Sequence, residues 1–397
     1  MIDEPGRAAL GDALEAVDPA SPDADPPLIV IAAAMVVGAV ALMVLGVQPV
    51  LLEALTQAHR LTEAQVGPLA TVEDLTLALG AAIGPPLMRR GAIRLKAVVL
   101  AGLLTLADLA IYAVHTVALL LALRGAAGLL EGLLLGATVV ILIQHSQPDR
   151  LNAIFLGLST LPQAAMACVT PIWVVPEYGA RAGFVILAAL AAMSGLAAFC
   201  LVDSAPPPRP ESAGKPVWTA PILIALASVG LQNAAIGGAW NYLPLLVDQH
   251  RFSPALAGVA VSGGLLFQVG GAFAVAAWGR RFDYRAALIL GSLCQAGVIG
   301  ALALAAAPLV YVSFALLFGL FWLALSPFQV RLLIALDQTR SAALLLTAVT
   351  LIGLSLGPSL SALGVRGADV TGAMRIAAVM MAAACLLYAA AGLRRSH

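Results

Sequence analysis

The sequence predicts an all-α integral membrane protein of twelve transmembrane helices, arranged as two pseudo-symmetric bundles of six. Three observations carry that expectation. Of the 397 residues, 61% are hydrophobic and 11% charged, with a mean hydropathy of +0.98, far from the roughly 45–50% apolar and about 25% charged composition of soluble domains. Charges and Pro/Gly clusters divide the apolar text into twelve stretches long enough to cross a hydrocarbon layer about 30 Å thick. Finally, the nonamer HRLTEAQVG at 59–67 returns as HRFSPALAG at 250–258, an offset of 191 residues.

Residues 1–27 hold seven acids, one base and several prolines, and are expected to be a disordered, solvated tail; a cleaved leader would begin basic. Segment one, 28–52, is the first long apolar run. Segment two, 63–88, starts at the first nonamer, where Thr62 is placed to cap amide protons that lipid cannot satisfy, and stops at Arg89 and Arg90. Segment three, 95–114, ends before His115, and segment four, 117–143, is apolar apart from Arg124 and Glu131. Segment five, 151–175, contains Thr170-Pro171, and segment six, 183–202, follows Arg181. The stretch DSAPPPRPESAGKPV, 203–217, is too rich in Pro and charge to insert, and reads as a cytoplasmic linker between bundles at 28–202 and 218–397. Segment seven is 218–246. Segment eight, 254–278, follows the second nonamer, with Ser253 in the capping place of Thr62, and the offset sets Gly271 over Gly80, Arg280 over Arg89 and Arg281 over Arg90. Segments nine (286–306), ten (309–334), eleven (341–363) and twelve (374–393) complete the second half.

Fifteen Lys and Arg fall on the side of the tail and linker and five on the other, with Arg124 inside the membrane, so both termini are expected in the cytoplasm of a bacterial inner-membrane protein. Net charge is zero, which argues against a nucleic-acid partner. The four cysteines have no paired spacing and read as small core residues, without disulfide or metal. No phosphate-cradling loop, HExxH or GxSxG occurs and the histidines sit mostly at segment ends, so neither an enzyme nor a cofactor is expected.

Two six-helix halves joined by a linker resemble the major facilitator superfamily. GPPLMRRGAIR (84–94) is similar to its loop signature through Gly84, Arg89, Gly91 and Arg94, with Met88 in place of the usual Asp. Arg124, Gly128 and Gly132 repeat its spacing in segment four, and YGARAGF (178–184) resembles its turn before segment six. The resemblance implies a monomeric secondary transporter that moves a small organic solute by alternating access. It also implies gating loops at Gly84, Arg89, Gly91 and Arg94 and, in the second copy, Arg280, Arg281 and Arg285. FWLALSPFQVRLL followed by Gly357-Pro358 looks like the efflux branch, so proton-coupled efflux is expected ahead of uptake or a transport-dead sensor.

An ionised group at the bilayer centre costs about 2.5–3.5 kcal/mol or more, so each needs a reason. Arg124 and Glu131 share a helix face with about 10.5 Å of rise between them, too far to touch without water or solute in between. The resemblance implies that this arginine acts on a proton site or an anionic solute; alternatively it binds carbonyls of neighbouring helices. Glu73 and Asp74 lie near the middle of segment two but point about 100° apart, so one at most is expected to face a given partner. All four are proton-coupling candidates, and Asp108 ranks below them. In the second half, Asn233, Gly237, Trp240 and Pro244 form one stripe on segment seven, an apolar face beside an amide suited to a solute. Asn241, Gln48, Gln163, Gln268 and Gln295 are further solute-binding candidates, each equally readable as an interhelical hydrogen bond.

Overall fold

The structure is a computed structural model that describes residues 25–202, 218–337 and 341–393. Most of the expected tail and the 203–217 linker lie outside the described residues. The chain forms helices α1 (Leu28–Gln57), α2 (Glu63–Met88), α3 (Ile93–Ala110), α4 (Val117–Leu142), α5 (Pro148–Val169) and α6 (Ala182–Ala198). The second set is α7 (Ala220–Tyr242), α8 (Ala255–Trp278), α9 (Tyr284–Ala303), α10 (Pro308–Leu336), α11 (Leu346–Ala362) and α12 (Thr371–Leu393). Ten of these are long and apolar enough to span a membrane; α6 and α11, at 17 residues, are at the short end of what spans. Among the described residues the one piece of β-structure is an isolated bridge between Arg366 and Asp369.

The internal repeat survives in three dimensions. Glu63 and Ala255, Ile93 and Tyr284, and Val117 and Pro308 open equivalent helices, 191 or 192 residues apart. The caps diverge, however. Thr62 and Gln65 form a reciprocal capping box at α2, whereas Ser253 does not cap α8: Pro254 takes the N-cap position and makes no side-chain bond there. α1 runs five residues past its expected end, because Glu53, Thr56 and Gln57 stay helical and Glu53 is buried.

Burial divides the molecule by height. One hydrophobic cluster at the end that carries His59 and His250 joins both halves, from Met43, Leu55 and Leu69 to Trp240, Leu246 and Val261. At the opposite end the cores are separate: one draws only on the first half, through Val37, Ala101 and Ala137, and another only on the second, through Val229, Leu288 and Leu332. The polar contacts between halves follow the same division. Gln57 donates to Asp248, its own counterpart at an offset of 191, at 3.0 Å. Tyr242 inserts its hydroxyl into the first turn of α2, donating to the Glu63 carbonyl and accepting from the Gly67 amide. Ser359 donates its amide to Thr71. The halves are thus sealed at the repeat end and parted at the other.

Large apolar side chains such as Leu79, Leu106, Phe273 and Leu386 are exposed around the periphery, as expected where the surrounding solvent is lipid. Exposed Trp173 and Tyr178 mark one end, and exposed Trp218 and Trp278 the other, as in interfacial aromatic belts. Of the cysteines read as core residues only Cys385 is buried, while Cys200 and Cys294 are exposed; an apolar thiol needs no core position when the outside is also apolar.

Candidate functional site

The crossing of α2 and α4 builds the site. Gly128 and Gly132 lie against the Glu73 and Leu77 carbonyls, and a Cβ at either position would collide with that backbone. This close approach carries Glu73 directly to Arg124, a residue 1% exposed. The arginine forms an ion pair with Glu73, donates to Asp108 of α3 at 2.7 Å, and lies 3.9 Å from Glu131. The Phe184 ring of α6 covers the guanidinium, 5.3 Å from its centroid. From α1, Gln48 donates to both Glu73 (3.0 Å) and Asp74 (3.2 Å). Three buried carboxyl groups therefore surround one guanidinium, and a fourth, Asp74, joins them through Gln48.

Three sequence expectations change. Arg124 and Glu131 come within ion-pair distance despite their rise, because two long side chains span what the Cα separation does not. Glu73 and Asp74 do share a partner: Gln48 sits between their directions and reaches both. Asp108, ranked below the others, is paired directly with Arg124, and Arg124 binds carboxylates where neighbouring carbonyls were the alternative. Helix spacing places residues on a face but is silent about reach across helices.

Charge balance gives the cluster its chemical capacity. One cation offsets one carboxylate; fully ionised, the group would hold three surplus negative charges at low dielectric, a state that only bound protons or a cation can relieve. Among the described residues no group of three or more His, Cys, Asp or Glu is placed to hold a metal ion. Glu131 is the least restrained member, since its Oε2 is buried without a hydrogen-bond partner among the described residues.

The second half answers with aromatics. At the 191-residue offset Arg124, Glu131, Glu73 and Asp108 correspond to Ala315, Trp322, Gly264 and Ile299. Trp240 meets Trp322 edge-on at 5.3 Å and lies 6.4 Å from Phe318, and its indole N–H donates to the Leu45 carbonyl of α1 in the other half. Trp322 is half-buried. Phe318 and Trp322 were missed as site residues; both occur in an apolar run whose periodicity does not separate them from packing. The expected stripe is split, since Gly237 packs on the Leu354 backbone of α11.

The amides take several roles. Asn233 and Asn241 spend their donors on their own helix, at Val229 (2.9 Å) and Gly237 (3.1 Å). Gln163 packs over Gly46, and Gln268 is half-buried on α8. Gln295 is wholly buried with neither polar atom partnered among the described residues. An unanticipated network links Gln329 to Gln232 (3.0 Å) and Tyr388 (3.2 Å) within the second half.

In the expected gating loops, Gly84 packs on Gly136, Gly91 adopts φ +80°, and Arg94 donates to the Leu201 carbonyl at 2.9 Å. Arg89 and Arg281 are exposed, Arg285 donates to the Tyr284 hydroxyl, and the Arg280 side chain lies outside the described ones.

Comparison with known proteins bears on this architecture. Residues 30–343 match the Major Facilitator Superfamily. Similar solved structures include a bacterial homologue of the human lysosomal transporter Spinster, inward-facing and occupied, with 17% identity over 91% of this chain and 96% of that one, at a TM-score of 0.65. The nucleoside transporter NupG shares 10% identity over 93% and 100%, with a TM-score of 0.69. A bacterial metal transporter shares 14% over 92% and 98%, at 0.63. A search of curated proteins gave no match.

Proposed function

This chain belongs to the Major Facilitator Superfamily, and from that premise we propose a proton-coupled secondary transporter that divides its labour between halves: the buried acids exchange protons and the aromatics hold the solute. The observation that carries this reading is a buried cluster of four carboxyl groups, three paired with a single arginine and Asp74 linked through Gln48, Glu131 being the least restrained. Such a cluster can take up and release protons, as coupling requires. The half-buried Trp322, set edge-on against the buried Trp240, offers an aromatic surface suited to a small organic solute with a flat apolar part.

The two halves, 28–202 and 218–397, are joined by the 203–217 linker, and the parted end carries most of the Lys and Arg, which sets it in the cytoplasm under the positive-inside rule, with both termini. The structure then corresponds to an inward-open state, and transport proceeds by rocking of the halves that breaks the seal made by Gln57, Asp248 and Tyr242. Efflux is the direction we favour, on the resemblance of the segment-ten and segment-eleven text to that branch. The acting unit is a monomer.

The test is reconstitution. Aromatic small molecules that raise the thermal midpoint of the purified protein are assayed for accumulation in proteoliposomes with and without a pH gradient. Gradient-dependent accumulation supports the reading. Flux that ignores the gradient removes proton coupling, and binding without any flux would indicate a sensor.

A further inference from the structure

At the sealed end, outside the ion cluster and within the first half alone, lies a cavity of about 320 Å³. Two cations line it: Arg60 and Arg181 come from the α1–α2 and α5–α6 connections, with His59, His115 and Thr116 beside them, and among the described residues no carboxylate lines it. Its floor is apolar, through Leu55, Ile111, Val117 and Leu120. The arginines are held in place by backbone carbonyls. Arg60 donates to the Val114 carbonyl, and Arg181 donates to the Tyr112 and Val114 carbonyls while covering the Tyr112 ring. Each guanidinium has five donors, so both keep donors for a ligand. An anion placed between the two guanidinium groups could take charge-assisted hydrogen bonds from both.

The internal repeat places different side chains at the equivalent positions of the second half. At the 191-residue offset Leu61 corresponds to Phe252 and Leu120 to Tyr311. Those two rings meet at 6.0 Å, with His250 stacked on Phe252 at 5.4 Å. The second half thus carries a packed aromatic ring where the first has Leu120 in the cavity lining.

We propose that this cavity binds an anionic headgroup carrying a short apolar chain, with Arg60 and Arg181 on the charge and Leu55 and Leu120 on the chain. The headgroup belongs either to a free organic acid or to an anionic lipid of the outer leaflet, chemistry that the cavity recognises alike.

The full-length protein in phosphatidylcholine nanodiscs is titrated with hexanoate and with methyl hexanoate, following the thermal midpoint. The expected result is a saturable rise with hexanoate and none with the uncharged ester. Arg60→Gln, an exposed change, and Leu120→Tyr, which puts into the cavity lining the ring that the second half carries at that position, should each raise the half-saturating hexanoate concentration at least tenfold. In parallel, nanodiscs containing phosphatidylglycerol distinguish the sources. A raised half-saturating concentration for wild type there assigns the site to lipid, and an unchanged one to a free acid; both support the site. Equal responses to acid and ester, equal responses in wild type and Arg60→Gln, or no hexanoate response together with no phosphatidylglycerol retained by wild type over Arg60→Gln in native mass spectrometry would overturn it.

Discussion

Glu131 contacts Arg124 at 3.9 Å with one oxygen and leaves the other buried with no hydrogen-bond partner among the described residues, so replacing it should alter proton traffic more than folding. Glu131→Gln is expected to abolish pH-driven accumulation while solute exchange continues; retained accumulation would exclude this residue from coupling. Arg124 is the opposite case. Arg124→Leu removes the one cation among four carboxyl groups and should cost roughly 3–5 kcal/mol, as when one partner of a buried pair is lost, read as a lower thermal midpoint. Trp240→Ala should weaken solute affinity without lowering expression, and equal affinity would assign this ring to packing. At this scale the sequence told part of the story: Arg124, Glu131, Glu73 and Asp74 stand out because charge is rare in apolar text. Asp108 and Gln48 could not be joined to them, since their contacts cross between helices and depend on side-chain reach.

α2 and α4 pack closely because glycines on both helices, Gly80 and Gly84 on α2 and Gly128, Gly132 and Gly136 on α4, lie against the backbone of the other. Gly132→Val would drive a side chain into the Leu77 carbonyl, and overpacking of this kind costs about 1–3 kcal/mol. Gly102 on α3 faces open space, so Gly102→Ala should be neutral or gain up to about 1 kcal/mol through helix propensity. A thermal midpoint that falls equally for both would contradict the proposed seam. Outside the membrane-spanning segments, Asp369 accepts from Thr371 and Gln249 at the start of α12. Those bonds, the Thr371 hydroxyl first, hold its carboxyl below the usual carboxylate range. A depressed folded-state value stabilises above the unfolded value of about 3.9 and is lost as pH falls through the lower folded one. Asp369→Ala should therefore be less stable than wild type at pH 6 and converge with it at strongly acid pH. Helix existence was legible from apolar run length, and helix ends less so: Thr62 caps as its sequence suggests, while Pro254 displaces Ser253 from the equivalent task.

The molecule as a whole is two copies of one plan that have diverged in chemistry. The nonamer disclosed the duplication, and the 191-residue offset extends through the starts of equivalent helices. What the sequence could not disclose is which end is closed, because that depends on contacts between halves and not on either half alone. The shared core and the Gln57–Asp248 bond place the seal at the repeat end. Cysteines at Gln57 and Asp248, oxidised to a disulfide, should therefore stop flux reversibly. The most direct measurement is accumulation of a stabilising aromatic solute in proteoliposomes under an imposed pH gradient, comparing wild type with Glu131→Gln. Gradient-driven accumulation in wild type, lost in the variant while exchange persists, is the expected result; equal accumulation in both would contradict proton coupling through the buried cluster.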